Sequence, residues 1–149
     1  MKMFKIYSFI AALFLMMTAC GNDSELVGPR VSVDGEWQLV SVNGVEPEFT
    51  VYVGFMGGLF NIYQQLYTWD YAYYDGQYVV RGYVVSGDYF DGTKWKCSYE
   101  ASLSEDGQTL TLVSKERNPI TCVYEQCVIP EEIIEEATTR AAANFDYHF

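Results

Sequence analysis

Between residues 94 and 103 the chain reads KWKCSYEASL, and its polarity alternates without a break. Trp95, Cys97, Tyr99, Ala101 and Leu103 are apolar or aromatic, while Lys94, Lys96, Ser98, Glu100 and Ser102 are polar. A period of two is the signature of a strand with one buried face. Short segments of this kind are punctuated by Asn43-Gly44, Gly57-Gly58, Asp75-Gly76, Asp91-Gly92 and Asp106-Gly107. Such dipeptides favour the left-handed backbone of tight hairpins. Their spacing predicts strands near 36–42, 47–55, 59–67, 71–74, 77–85, 94–103, 109–115 and 119–127. Eight short strands joined mostly by tight turns predict an all-β fold, a small antiparallel up-and-down barrel. A barrel of this size holds side chains or one small ligand.

The turns also predict registers. A turn centred on Asp106-Gly107 sets Leu103 opposite Leu110 and Ala101 opposite Leu112, on one inward face. A turn centred on Asp75-Gly76 sets Tyr73 opposite Tyr78 and Asp70 opposite Arg81, an outer ion pair. The same test at Asn43-Gly44 sets Gln38 against Phe49. Pro47 then points to a longer, irregular connection and leaves that register open. The inward face expected from these patterns comprises Trp37, Tyr78, Val80, Trp95, Tyr99, Ala101, Leu103, Leu110 and Leu112, with Gly82 and Ala101 small enough to leave space. From Pro130 the pattern changes. PEEIIEEATTRAAA reads as a helix with Pro130 at its first position, glutamates toward the positive end of the dipole, and Ile133, Ile134, Ala137 and Ala141 as a modest apolar stripe. It is expected to pack on the outside or end of the barrel.

The front of the chain follows another logic. Lys2 and Lys5 precede an apolar run from Ile6 to about Ala19, and the run ends in Met17-Thr18-Ala19-Cys20. A basic start and a short apolar run form a secretory signal, shorter than the ~20 residues of a membrane-spanning helix. The junction resembles the bacterial lipobox, in which the cysteine thiol is lipidated and becomes the new N-terminus. A thiolate is the nucleophile such chemistry requires. The alternative, an ordinary signal with an accidental cysteine, accounts less well for the spacing, the small residues and the polar stop. Lipidation of Cys20 implies a membrane partner, since more than one acyl chain anchors firmly. Gly21-Asn22-Asp23-Ser24-Glu25 resembles the acidic tether of some surface-exposed Bacteroidetes lipoproteins, and reads equally as a plain linker. The organisation expected is a signal peptide at 1–19, a tether at 20–34, a barrel at 35–128 and a helical tail at 129–149.

Without residues 1–19, which hold Lys2 and Lys5 and no acid, seven cations face 20 acids, a net charge of −13. Such a chain is not drawn to nucleic acid or anionic headgroups. Half of the residues are hydrophobic, so the chain is not disordered by composition. Thirteen Tyr, nine Phe and three Trp, with frequent Val and Thr, favour strands.

Gly35-Glu36-Trp37 resembles the Gly-x-Trp signature that opens the first strand of lipocalins, where the tryptophan plugs the closed end. Together with the lipobox, FNIYQ, DGTKWKCSYEASLSEDGQTLTL and VYEQCVIPEEI, the chain resembles the lipocalin-like (calycin-like) lipoproteins of Bacteroidetes over roughly residues 35 to 135. The resemblance implies the barrel fold and an outer-membrane lipoprotein, with its lipid anchor and a cell-surface face. It departs from the family in two places. The strand at 119–127 lacks the arginine that stacks over the tryptophan, and Asp88-Tyr89 is at most a fragment of the second motif.

Catalytic chemistry finds little support. The one histidine, His148, lies at the end of the chain, which argues against a His-based triad, a zinc site or a His general base. Gly-x-Ser-x-Gly, a phosphate loop and Cys-x-x-Cys are absent. Asp88, Asp91 and Glu100 could pair as carboxylates or hold calcium, but Asp88 and Asp91 read first as turn residues. Cys97, Cys122 and Cys127 are expected to form no disulfide, because the predicted strand order holds them too far apart. No enzyme activity, cofactor, metal or catalytic residue is expected. The first function expected is a small apolar or amphipathic ligand bound in the barrel by Trp37, Tyr78, Trp95 and Tyr99. The second is adhesion to glycan or protein through exposed loops on a filled barrel. An open apolar interior favours the first; a packed interior with aromatic residues on one rim favours the second.

Overall fold

The computed structural model describes residues 29–140. The leader, Cys20, residues 21–28, Ala141 and His148 lie outside the described residues. Eight strands follow in order: β1 (Gly35–Val42), β2 (Thr50–Met56), β3 (Leu59–Gln65), β4 (Ala72–Arg81), β5 (Val84–Tyr89), β6 (Tyr99–Leu103), β7 (Thr109–Ser114) and β8 (Thr121–Gln126). Each pairs antiparallel with its neighbours in sequence, and β8 pairs back onto β1, so the sheet closes into an up-and-down barrel. A short helix, α1 (Glu131–Glu136), and a two-residue strand, β9 (Thr138–Thr139), complete the chain.

Alternation decides which face is inside. Val51, Val53 and Phe55 on β2, Phe60 and Ile62 on β3, Leu110 and Leu112 on β7, and Cys122 and Tyr124 on β8 are all buried. Gln77, Arg81, Glu100, Ser102 and Glu125 point out and are exposed. Apolar inside and polar outside is the reverse of a transmembrane barrel. No described helix is long and apolar enough to cross a membrane. The β2–β3 hairpin turns at Gly57-Gly58, both with positive φ (57° and 84°), and pairs Met56 with Leu59. Two left-handed residues match the twist of a two-residue hairpin. Leu103 faces Leu110 and Ala101 faces Leu112. Asp106 ties that loop by accepting from the Ser104 hydroxyl at 2.6 Å and from Gln108 N–H at 3.1 Å.

Three expectations are corrected. Asp75-Gly76 is not a turn: β4 runs straight through it, Tyr73 pairs with Tyr63, and Tyr78 pairs with Gly87. Asp70 and Arg81 therefore do not face each other. A Cβ at Gly76 would lie 2.7 Å from the Phe60 ring and would also collide with the Asp88 carbonyl. Glycine is there for its missing side chain, not for a turn. The hairpin falls instead at Gly82-Tyr83, with Arg81 paired to Val84, so Gly82 sits in a turn (φ 63°) and not on the inner face.

The second correction concerns 94–103, which is not one strand. Asp88 bridges to Lys94, and Trp95 N–H donates to Gly87 O at 3.0 Å. Val85 then faces Tyr99. Two residues on β5 thus span four on the other side, and the chain bulges at Lys96–Ser98. Because the excess is even, parity survives, and Trp95 and Tyr99 both stay buried.

The third concerns the tail. Pro130 is the residue before α1 rather than its first position, and Ala137 is already extended (φ −65°, ψ 136°). The tail starts across the outside of the barrel. Cys127 N–H donates to Glu36 O, and Ile129 N–H donates to the Glu36 carboxylate, both at 2.9 Å. It then joins β4 as a parallel strand, with Thr138 N–H on Tyr71 O at 2.9 Å and Arg140 N–H on Tyr73 O at 3.0 Å. The pairing of β5 with β4 ends at Gly76, so this part of β4 has a free margin. Two β-branched threonines cover it.

Candidate functional site

The barrel has a sealed end, and the sequence explains why. Trp37 is fully buried there, its indole N–H donating to Val33 O at 2.9 Å. The segment before β1 crosses this end. Val31 N–H reaches Gly82 O at 3.0 Å, and the Tyr78 hydroxyl donates to Asp34 Oδ1 at 2.5 Å. Burial, and then the hydrogen bond to Asp34, push the Tyr78 phenol up to about 12. Gly35 has φ 143°, and a Cβ there would press within 3.3 Å of the Trp37 indole.

Further in, rings fill the space between β2 and β6. Phe55 meets Tyr78 edge-on at 5.0 Å between centroids. Phe60 meets Trp95 at 5.1 Å and Tyr89 at 5.3 Å, and Trp95 meets Tyr99 at 5.9 Å. Edge-to-face contacts at these distances are the favoured aromatic geometry. Burial raises the Tyr89 and Tyr99 phenols well above their ordinary value, so both stay neutral.

Among the surface hollows of the described residues, one of about 300 Å³ is lined by Gln38, Glu46 and Phe49; two others bear on function. The larger, about 480 Å³, lies where the Lys96–Ser98 bulge parts from β5. Tyr78, Gly87 and Trp95 line it together with Lys94, Cys97 and Ser98. A Cβ at Gly87 would lie 2.6 Å from the Trp95 ring, so a larger residue there would displace the indole. Of the four residues expected to hold a ligand, the structure brings Tyr78 and Trp95 to this groove. Trp37 lies at the sealed end, and Tyr99 behind Trp95 is no part of the groove lining.

The smaller hollow, about 200 Å³, lies at the opposite end, between the β3–β4 loop and Arg140. Gln64, Tyr74, Asp70 and Arg140 are among its lining residues. Gln64 follows Phe60 and Ile62 along the inward side of β3 and is only 3 % exposed. Among the described residues its Oε1 has no hydrogen-bond partner. Two rings crown this end, Tyr67 at 86 % and Trp69 at 94 % exposure. Gln65 donates its side-chain amide to Trp69 O and so ties the loop down.

The carboxylates weighed for catalysis have plainer roles. Asp91 accepts from Thr93 N–H at 2.8 Å in the β5 turn, Asp88 lies 3.9 Å from Lys94, and Glu100 points outward. Among the described residues no three His, Cys, Asp or Glu side chains gather as a metal site. Cys97, Cys122 and Cys127 form no disulfide among the described residues.

Comparison with known proteins adds little. No protein-family model and no curated protein matches the chain. Among solved structures, a chain titled "REP1-NXSQ fatty acid transporter" superimposes with a TM-score of 0.38 at 12 % identity, covering 65 % of this chain and 97 % of that one. Two features of the site escape the sequence reading. Gln64 could have been found, since it is the polar residue at an inward parity position. The bulge has no such signal, because an even insertion leaves the alternation untouched.

Proposed function

We propose that this chain is a lipid-anchored, lipocalin-like outer-membrane binding protein without enzymatic activity, and that it holds a small amphipathic ligand in the groove beside the Lys96–Ser98 bulge. The groove carries this reading. Its volume of about 480 Å³ falls in the range of small-molecule sites, and two aromatic residues, Tyr78 and Trp95, line it with the charged Lys94 and Asp88. An apolar body would lie along Tyr78 and Trp95, and a polar end would meet Lys94 or Ser98. Lipidation at Cys20 would hold the barrel at the membrane.

Titrating the purified protein with a hydrophobic fluorophore tests the groove through energy transfer from tryptophan. Saturable transfer that disappears in Ser98→Trp, a change that fills the hollow, supports it. Unchanged transfer in that variant removes it. The anchor is tested separately. Cys20→Ser should release the protein from the membrane fraction, and a variant that still sediments with membranes would end that part of the proposal.

A second reading is loop recognition of a glycan or protein at the open end. The exposed rings of Tyr67 and Trp69 favour it, together with Phe90 on the neighbouring turn.

A further inference from the structure

We infer that the 200 Å³ hollow at the open end is a binding site for one neutral, hydroxyl-rich ring, a monosaccharide unit, with Gln64 at its base and Arg140 and Asp70 at its sides. This rests on the loop-recognition reading and is independent of the groove.

The hydrogen-bonding character of the site selects the ligand. Gln64 Oε1 is a buried acceptor with no partner among the described residues, and Asp70 adds a carboxylate. Both call for donors. A fatty-acid or other carboxylate head offers only acceptors, so Arg140 would attract it while Gln64 and Asp70 would oppose it. A sugar hydroxyl both donates and accepts. It satisfies Gln64 and Asp70 while a ring or hydroxyl oxygen accepts from the Arg140 guanidinium. The volume admits a single ring rather than an acyl chain. Tyr67, which lines the hollow, and Trp69 beside it present exposed aromatic faces on which the apolar C–H face of a sugar packs.

A native polar residue at an inward position, without a protein partner, also has a signature of its own. Removing a lone buried acceptor relieves the fold, whereas removing a structural amide damages it. The test therefore reads binding and stability together. The purified full chain is titrated with glucose, galactose, mannose and N-acetylglucosamine, and separately with oleate, following tryptophan fluorescence and protein NMR. At least one sugar is expected to bind in the millimolar range. Gln64→Leu should weaken it more than tenfold while leaving the melting temperature equal or higher, and Arg140→Gln should weaken it several-fold. A Gln64→Leu variant that melts lower and still binds sugar overturns the inference. If Trp69→Ala abolishes sugar binding and Gln64→Leu does not, the loops recognise the sugar and the hollow does not. If no sugar binds, or if only oleate binds through Arg140, the assignment is wrong, and loop recognition of a protein is left standing on its own.

Discussion

Phe60→Ala is the sharpest test of whether the interior is solid. Phe60 is 2 % exposed, lies over Gly76, and meets both Trp95 and Tyr89 edge-on. Truncating a buried phenylalanine costs about 3–5 kcal/mol, including the cavity it leaves. Each aromatic pair adds ~0.5–1.5 kcal/mol beyond area burial. These contributions overlap, so the upper part of the first range, about 4–5 kcal/mol, is expected. No side chain at Gly76 can move in to fill the gap, which keeps the cost high. For a domain of this size the loss corresponds to a fall in melting temperature of roughly 15–20 °C.

Urea unfolding followed by tryptophan fluorescence measures the change, with an unaltered slope required for the comparison. Benzene should restore part of the lost stability, because a dry aromatic cavity accepts it. As a control, Val79→Ala, at an exposed outward position, should change stability by less than about 0.5 kcal/mol. A Phe60→Ala loss below about 1.5 kcal/mol with no benzene effect would refute the argument. It would mean that the rings line a space that rearranges freely.

Other outcomes follow from the same structure. Ile129 is 3 % exposed beneath the tail and Ile134 is 46 % exposed on α1, so Ile129→Ala should cost about 2–4 kcal/mol and Ile134→Ala under about 0.5 in the same urea assay. Alkaline pH should unfold the barrel. Burial first, then Asp75 for Tyr73 and Asp34 for Tyr78, push both phenols from 10.0 up to about 12. The stabilisation from their neutral forms is complete below 10 and is lost as pH rises through about 12. Absorbance at 295 nm and far-UV circular dichroism recorded together check this, and full tyrosine titration near pH 10 with the fold intact would contradict it. Cys122, buried inside the barrel, should react with a thiol reagent far more slowly than Cys97 or Cys127 until urea is added. Cys127 should itself be slow at neutral pH, because burial and then Glu36 push its thiol up to about 11.

How much of this was legible depends on what each residue type was used for. The alternation at Trp95–Leu103 fixed which side chains are buried, and the turn at Gly57-Gly58 sits where the pattern places it. Asp75-Gly76 misled because glycine has two uses that look the same in a sequence. At Gly57 and Gly58 it supplies positive φ; at Gly76 it supplies an empty position for Phe60 on the facing strand. Only the long-range partner distinguishes them. Thr138-Thr139 is too short to carry a period, and what makes it a strand is the bare margin of β4. Of the residues expected to hold a ligand, Trp37 and Tyr99 were expected on the inward face and are buried. Position separates them from Tyr78 and Trp95, since Trp37 lies at the sealed end and Tyr99 behind Trp95, so the four share no single cavity lining.

The two ends of the barrel therefore answer to different demands. At the sealed end three hydrogen bonds tie the entering segment to the barrel: Trp37 with Val33, Tyr78 with Asp34, Val31 with Gly82. Paired groups beneath the apolar segment before β1 close this end of the barrel. At the other end Gln64 Oε1 is buried with no hydrogen-bond partner among the described residues, and Trp69 stands in solvent. Leaving a buried acceptor unpaired costs about 1–3 kcal/mol, and exposing an indole forgoes burial of one of the largest apolar surfaces a side chain has. Neither arrangement helps the barrel fold. Both sit on the same loop end, beside Arg140, which the tail carries there by pairing with β4. On the loop-recognition reading, this second end is where a ligand would meet the barrel.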